Sequence, residues 1–163
     1  MALRAGIGYD IHARAAGRPL VLGGVRFESD WGLEGHSDAD VLSHAIGDAL
    51  LGAVALGDLG QHFPPGDPHW KDVSSMKLLR LIRALVAGEG GRIVNVDATV
   101  VATEPQVAPV RDTMRGNIAR ALKLPGGAVS VKATTNEGLD ATGRGEGIAA
   151  FAVAMVEVAG ERT

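Results

Sequence analysis

Apolar and polar residues follow two different repeats along this chain. Runs of alternating or β-branched apolar residues predict four strands, at residues 4–12, 93–102, 129–134 and 148–158. Residues 20–27 predict a hairpin that turns at the Gly23-Gly24 pair. The strand pattern therefore places one strand and a hairpin before the first helix and three strands after it.

Apolar residues spaced three and four apart predict three helices. The first is capped by Ser37 or Asp38 and runs to about Leu56, with Gly57 ending it. The second runs from Ser74 or Ser75 to near Gly88, and the third from Pro109 to the Pro125-Gly126-Gly127 turn. Residues 57–72 form a long loop rich in Pro, Gly and Asp, and long loops are often functional. The order β-β-β-α-α-β-α-β-β predicts a single-domain α/β (α+β) sandwich over residues 1–163, with a mixed sheet and helices packed on one face.

Composition narrows the class of protein. Apolar residues make up 46% of the chain and charged residues 21%, as in ordinary globular proteins. The net charge of -3, without a basic run, argues against nucleic acid as a partner. The absence of cysteine excludes disulfides, leaves only nitrogen and oxygen ligands for a metal, and predicts a cytoplasmic protein. No apolar stretch reaches membrane-spanning length, so we expect no membrane association.

Asp10, His12 and His44 are the strongest candidates for chemistry. Asp10 and His12 alternate on one strand, so their side chains share a face, and a helical His44 can complete a ligand set of one oxygen and two nitrogens. Such a set suits Zn²⁺ with one position left open. Asp40 and Asp48, four residues either side of His44, are possible acceptors for its second N–H. The alternative is that Asp10 and Asp40 are capping residues, Asp48 is solvated and the histidines belong to the core.

A second cluster joins residues 132–139 to the glycine-rich segment 142–147. The hydroxyls of Thr134 and Thr135, with exposed backbone amides, can bind phosphate oxygens. Glu137 can hold a hard cation such as Mg²⁺. The alternative is a glycine-rich turn with Glu137 in water.

The segment 102–109 joins a strand end to a helix start. Its backbone groups can contact a base or a phosphate, although such a segment can also be a plain connection. His62 and His69 lie in the long loop, and we expect both to be surface residues.

Several motifs in fixed order give a resemblance that covers about Arg4 to Val158. They are Gly8-Tyr9-Asp10-Ile11-His12, Gly35-His36-Ser37-Asp38-Ala39-Asp40, Asp48-Ala49-Leu50-Leu51-Gly52-Ala53, Gly57-Asp58-Leu59-Gly60 with Phe63-Pro64, Asn95-Val96-Asp97, and Lys132-Ala133-Thr134-Thr135 through Glu137 to Thr142-Gly143-Arg144-Gly145-Glu146-Gly147. Together they resemble the 2-C-methyl-D-erythritol 2,4-cyclodiphosphate synthases of non-mevalonate isoprenoid biosynthesis. The resemblance implies a homotrimer with sites between subunits. It also implies cyclisation of 4-diphosphocytidyl-2-C-methyl-D-erythritol 2-phosphate with release of CMP.

The resemblance also implies roles for individual residues. Asp10, His12 and His44 would bind Zn²⁺, and Glu137 would hold Mg²⁺ or Mn²⁺ between two phosphates. These four form the implied catalytic set. The implied substrate-binding residues are His36, Ser37, Asp58, Leu59, Gly60, Phe63, Asp67, Ala102, Thr103, Glu104, Pro105, Gln106, Val107, Ala108, Lys132, Thr134, Thr135 and Arg144. Arg144 and Glu146 would lie near the three-fold axis.

Three residues depart from the commoner family pattern. Pro65 stands where an acidic residue is frequent, Gln106 replaces a frequent lysine, and Ala141 replaces a bulky apolar residue. Two alternative functions fit the same motifs. One is a zinc-dependent phosphohydrolase with water as the attacking group. The other is a non-catalytic trimer that binds isoprenoid diphosphates.

Overall fold

The computed structural model describes residues 1–159, so the last four residues of the predicted 1–163 domain lie outside the described part. Its strands are β1 (Ala2–Ala16), β2 (Leu20–Leu22), β3 (Val25–Phe27), β4 (Trp31–Leu33), β5 (Gly91–Val101), β6 (Val129–Thr134) and β7 (Gly147–Val158). Five form one sheet in the order β4-β1-β7-β5-β6, and β2 pairs with β3 as the predicted hairpin. Only β5 and β6 are parallel, so the sheet is mixed as predicted.

The described helices are α1 (Val41–Ala53), α2 (Leu59–His62), α3 (Ser75–Gly88), α4 (Arg111–Leu122) and α5 (Asp140–Gly143). The three long helices α1, α3 and α4 pack on one face of the sheet, which confirms that prediction. Their apolar stripes, such as Leu79, Ile82 and Val86 of α3, are fully buried against the strands. Burying such side chains contributes about 1.5–3 kcal/mol each, so this layer holds the domain together.

The opposite face of the sheet carries apolar side chains that no described residue covers. Tyr9 of β1 pairs with Phe151 of β7 in register, and their rings lie 4.9 Å apart. The exposed large apolar residues of these two strands are Leu3, Ile7, Tyr9, Ile11, Phe151 and Val153. We call this set the outer sheet face. A contiguous apolar patch of this kind marks an interaction surface.

Two glycines of β1 allow α1 to lie directly on the strand. A Cβ added to Gly6 would stand 1.9 Å from the carbonyl oxygen of Ala49, and one on Gly8 would stand 1.8 Å from that of Ala45. Neither distance is possible for real atoms, so only glycine fits there. This backbone-to-backbone contact brings the residue before Ala45 in α1, His44, over the strand that carries Asp10.

The structure differs from the sequence prediction at several element boundaries. Helix α1 begins at Val41 and ends at Ala53, and its N-cap, Asp40, lies two or three residues later than the expected cap at Asp38 or Ser37. The short strand β4 and the short helix α5 were not predicted. The predicted loop 57–72 contains α2 and a 3-10 turn at Pro68–Trp70. Each missed element is three or four residues long, too short to show a repeat.

None of the helices within residues 1–159 combines the length and the hydrophobicity that a membrane span requires. The most apolar helix, α1, is covered by the sheet instead.

Candidate metal centre and substrate pocket

Asp10, His12 and His44 meet at one point, as the sequence predicts. The Oδ2 atom of Asp10 lies 2.8 Å from Nε2 of His12 and 3.1 Å from Nδ1 of His44, and the two nitrogens are 3.2 Å apart. Among the described residues, these three form a group that could hold a metal ion. Four ligands at about 2.0–2.1 Å around tetrahedral zinc stand roughly 3.3 Å from one another. The observed spacings fit that arrangement.

The orientation of His12 is set by the backbone of the neighbouring segment. Its Nδ1–H donates to the carbonyl oxygen of Glu34, which can only accept. The other ring nitrogen, Nε2, therefore carries the lone pair when the ring is neutral, and it faces the carboxylate of Asp10. In metal sites, the ring nitrogen that does not bind the metal normally donates its N–H to an acceptor such as this carbonyl oxygen.

Charge within the cluster also favours a cation. Burial raises the pKa of Asp10, but the hydrogen bonds and positive charge of His12 and His44 outweigh it, so its pKa falls to about 2. Burial lowers the pKa of His12, yet the hydrogen bond and negative charge of Asp10 outweigh it and place that pKa above its usual value. The cluster thus holds an ionised carboxylate whose charge a metal ion would neutralise.

The prediction that Asp40 or Asp48 accepts a hydrogen bond from the second N–H of His44 is wrong. Asp40 accepts bonds from the backbone N–H groups of Gly23 and Gly24 and from Ser43, so it caps α1 and anchors the hairpin. Asp48 accepts from the N–H of Leu59 at 2.8 Å.

Nε2 of His44 instead faces two hydroxyl oxygens, Ser37 Oγ at 3.0 Å and Ser75 Oγ at 3.1 Å. A carboxylate one turn away on the same helix therefore does not reach the ring, because the second nitrogen points away from the helix axis toward the neighbouring loop and α3. Helical spacing shows only that Asp40 and Asp48 lie on the same side of α1 as His44, and it does not show which way the second ring nitrogen points.

The metal cluster opens into a pocket of about 390 Å³. It is lined by residues of β1, the loop before α1, α1, α2, the loop before α3 and α3 itself: Asp10, His12, His36, Ser37, His44, Asp48, Asp58, Leu59, Gly60, Phe63, Pro65, Trp70, Val73 and Leu78. Three of the four metal-binding residues named from the sequence, and six of the substrate-binding residues, therefore lie in one place. A pocket of this size suits a small organic molecule, with apolar walls opposite a polar floor.

Asp67 contributes to this pocket indirectly. Its carbonyl oxygen accepts from Nε2 of His36 at 2.8 Å, while its side chain accepts from the N–H of His69. His69 is exposed as expected, whereas His62 is partly buried and donates to the carbonyl of Leu56. The prediction that His62 is a surface residue is therefore only partly right.

The pocket also contains residues that sequence reasoning did not select. Trp70, Val73 and Leu78 form part of its apolar wall. Trp70 packs edge-on against Phe63 with ring centroids 4.9 Å apart. In the sequence, the only indication of this role was that Trp70 is an aromatic residue in a loop of polar composition.

The second cluster lies elsewhere in this chain. Thr134 ends β6, and Thr135 and Glu137 follow it, at the edge of the sheet three strands away from β1. Glu137 is exposed with a φ of 52°, and its N–H donates to Thr135 Oγ1 at 3.2 Å. None of these residues lines the metal pocket. Within one chain, the two halves of the predicted site are therefore separate.

The segment Ala102–Ala108 follows β5, the strand beside β6. Ala102 and Val107 are buried, whereas Thr103, Glu104, Gln106 and Ala108 are exposed and Pro105 is partly buried. The Thr103 hydroxyl donates to the carbonyl of Thr142, which ties this segment to α5. The segment and the Thr134–Thr135 pair therefore lie at the same end of the sheet.

Lys132 and Arg144, the two predicted cationic contacts, both have acidic partners. Lys132 Nζ lies 2.5 Å from Asp97 Oδ2 on the outer side of the sheet. Arg144 Nε lies 2.7 Å from Glu146 and lines a cavity of about 160 Å³ with Thr103. A larger cavity of about 580 Å³ surrounds Arg18 and Arg26, but it contains none of the metal cluster.

The fold and the cluster define a class: an α+β domain with an open, two-imidazole and one-carboxylate centre suited to a divalent metal. The family model described as the YgbB family matches residues 3–157. This chain belongs to that family.

Named relatives agree with this assignment. The chain is 58% identical over 154 residues to the 2-C-methyl-D-erythritol 2,4-cyclodiphosphate synthase of Moorella thermoacetica, covering 94% of each. It is 60% identical over 151 residues to the bifunctional enzyme IspD/IspF of an Anaeromyxobacter strain, of which it spans 39%. The solved complex of Plasmodium falciparum IspF with CDP is 32% identical, with a TM-score of 0.85 over 98% of each chain.

Proposed function

We propose that this chain cyclises 4-diphosphocytidyl-2-C-methyl-D-erythritol 2-phosphate to 2-C-methyl-D-erythritol 2,4-cyclodiphosphate and releases CMP. The observation that carries the proposal is the convergence of Asp10, His12 and His44 at the floor of a pocket sized for the sugar phosphate. Relatives of nearly the same length are named for this product. The proposal places the chain among the phosphorus-oxygen lyases of isoprenoid precursor biosynthesis.

The chain's contribution to this reaction is positioning and neutralisation of charge. The 2-phosphate oxygen attacks the β-phosphorus, the bond from that phosphorus to the CMP oxygen breaks, and CMP leaves with that oxygen. Because both reacting groups are anionic, the main obstacle is their repulsion. When bound, Zn²⁺ supplies Lewis acidity to a phosphate oxygen. His36 and Ser37 lie beside the cluster in the same pocket, where they can hold the phosphate end in place.

The erythritol end of the substrate is assigned to the turn at α2. Asp58, Leu59 and Gly60 line the pocket, and Phe63 closes its apolar side. Asp58 accepts from the N–H of Gln61, which fixes this short helix, and Asp48 accepts from the N–H of Leu59. A hydroxylated sugar can therefore meet fixed polar groups on one side and an aromatic ring on the other.

The cytidine and its phosphates are assigned to the other end of the sheet. There the backbone of residues 102–108 and the hydroxyls of Thr134 and Thr135 are available, with Lys132 and Arg144 as cationic contacts. Gln106 supplies no charge at a position where the family often has lysine, so phosphate binding would depend more on hydroxyls and a second metal. Glu137 is the proposed ligand for that Mg²⁺ or Mn²⁺, because its carboxylate is exposed beside the Thr135 hydroxyl.

Glu137→Gln is expected to weaken the dependence of CMP release on Mg²⁺ while zinc content stays unchanged. The amide keeps the size of the side chain but removes the charge that a hard cation requires. The measurement is the rate of CMP release across a Mg²⁺ titration, with zinc determined by elemental analysis. Glu28→Gln, which changes an exposed carboxylate outside both half-sites, serves as the matched control. A Glu137→Gln titration that overlays the parent's would exclude this residue as a ligand.

We propose a homotrimer in which the two half-sites come from neighbouring subunits. Two observations support an assembly: the uncovered outer sheet face, and the separation of Glu137 from the metal cluster within one chain. The number three comes from the family resemblance.

Ile7→Asp is expected to yield monomers without CMP release, because Ile7 is 74% exposed at the centre of the outer sheet face and a carboxylate there cannot be buried unpaired. Native mass spectrometry and circular dichroism separate loss of assembly from loss of fold. Ala84→Asp, on the exposed side of α3, is the control and should keep the parent's mass. A folded Ile7→Asp monomer with full activity would contradict shared sites.

A cytoplasmic location belongs to the same proposal. It rests on the absence of cysteine, which is typical of proteins that fold in a reducing compartment. Fractionation of the source cells, followed by detection of the chain with a specific antibody, tests it.

Identification of the product tests the activity. Purified protein with Zn²⁺ and Mg²⁺ should convert the substrate to equal amounts of CMP and a compound with the mass of the cyclic diphosphate. An open-chain product would favour the phosphohydrolase. Tight binding of isoprenoid diphosphates without any CMP release would favour the non-catalytic alternative.

A further inference from the structure

A carboxylate–hydroxyl pair lies behind His44, on the side away from the metal cluster. Ser75, the first residue of α3, is only 1% exposed. Its N–H donates to Oδ2 of Asp38 at 2.8 Å, and its hydroxyl donates to Oδ1 of the same carboxylate at 2.5 Å. Its Oγ also lies 3.1 Å from Nε2 of His44.

The single hydroxyl hydrogen of Ser75 determines whether Ser75 or His44 is the donor in the contact between them. A carboxylate has no hydrogen to give, so the short contact between Ser75 and Asp38 requires that Ser75 donates. Toward His44, the Ser75 oxygen can then only accept. The ring nitrogen that it faces, Nε2, must carry the hydrogen. In the neutral ring, Nδ1 then has the free lone pair, and Nδ1 is the atom that faces Asp10 and His12.

The same count of donors and acceptors shows where the hydroxyl hydrogen of Ser37 points. Its Oγ accepts from the N–H of Ala39 at 3.3 Å and lies 3.0 Å from Nε2 of His44. Since Nε2 already carries a hydrogen, Ser37 cannot donate to the ring. Its own hydrogen is therefore left to donate into the pocket that Ser37 lines, where the proposed substrate has phosphate oxygens.

We infer that Asp38 and Ser75 are positioning residues that fix the Nε2–H tautomer of His44 and thereby present its Nδ1 lone pair to the metal. This inference rests on the proposed function only in taking the cluster as a metal centre. It links the start of α3 to the metal site through Asp38, whose N–H also donates to the carbonyl of Val73. Neither residue was selected as a site residue from the sequence.

Ser75→Ala is the direct test, with Asp38→Asn as a second variant and Ser74→Ala as the control. Ser74 is the exposed neighbour whose side chain makes no capping bond. The tautomer of His44 is read in metal-free protein from long-range ¹⁵N–¹H spectra, at a pH where the ring is neutral. Zinc affinity is read by competition with a chromophoric chelator. Neither measurement uses substrate, so the result is independent of which reaction the protein performs.

The parent and Ser74→Ala should show the pure Nε2–H form. Ser75→Ala should show a mixture of tautomers, with zinc affinity lower by about 10- to 100-fold, the usual cost of losing a partner of a metal-bound histidine. Asp38→Asn should lose affinity in the same range, which keeps the test available if Ser75→Ala does not fold. An Nδ1–H form in the parent, or unchanged affinity in both variants, would overturn the inference.

Discussion

His44→Ala is expected to lose bound zinc and CMP release while the domain stays folded. The substitution removes one of three ligand atoms that stand 2.8–3.2 Å apart, and the remaining pair, Asp10 and His12, leaves the metal with two protein ligands. Losing a residue that only hydrogen-bonds to a metal-bound histidine lowers metal affinity by about 10- to 100-fold. Because His44 is itself a proposed ligand, we expect a larger loss of zinc affinity in this variant. Elemental analysis of the purified variant and a CMP assay measure both effects.

The fold should survive because the His44 side chain borders the open pocket rather than the apolar core. His69→Ala is the control: His69 is exposed on the 3-10 turn and lies outside the cluster, so the control should keep full zinc. Full zinc occupancy and normal turnover in His44→Ala would remove the metal assignment altogether.

Gly8→Ala is expected to destabilise the domain severely. Its Cβ would stand 1.8 Å from the carbonyl oxygen of Ala45 and 2.9 Å from the backbone nitrogen of Ala49, so α1 would have to move off β1. Overpacking against side chains usually costs about 1–3 kcal/mol. Here the neighbouring atoms are backbone, which cannot adopt another rotamer, so we expect a loss at or above that range in the free energy of unfolding.

Gly52→Ala gives the matched control, because Gly52 is exposed on α1 and a Cβ added there would have no neighbouring atom within 4 Å. Alanine there should be neutral or stabilise by about 0.5–1 kcal/mol, as in other helix interiors. Urea unfolding of both variants measures the difference. Zinc affinity should fall in Gly8→Ala as well, since His44 moves with α1. A Gly8→Ala variant as stable as Gly52→Ala would show that α1 is not held in close contact with β1.

The metal cluster could be predicted from the sequence because it depends on simple periodicity. Strand alternation places Asp10 and His12 on one face, and the helical pattern around His44 turns that residue toward the sheet. The mixed sheet with helices on one face follows from similarly long, regular patterns. These features need only local rules, which is why they agree with the structure.

The surroundings of the cluster could not be predicted in the same way. Asp40 was an expected partner of His44 by helical spacing, but its oxygens are occupied by Gly23, Gly24 and Ser43. One of the two hydroxyl partners of His44, Ser75, is 31 residues away and reaches the ring because α3 packs beside α1. Contacts of this kind arise from tertiary packing, and no repeat in the sequence encodes them.

The short elements were missed for a related reason. Strand β4 is three residues long and pairs with the end of β1, where Trp31 lies opposite Ala16. The stacking of Arg14 over the Trp31 ring, 4.1 Å from its centroid, supports this pairing. Such a segment is stabilised by its neighbours and shows no strand pattern of its own.

The most direct test of the central claim is to run the reaction in ¹⁸O-labelled water and measure the mass of both products. If the substrate's own 2-phosphate attacks at the metal pocket, the cyclic diphosphate and CMP should both form without a solvent oxygen. Attack by water would place one ¹⁸O atom in CMP or in an open-chain 2,4-bisphosphate. Unlabelled products at full turnover are the result that we predict, and ¹⁸O in either product would contradict it.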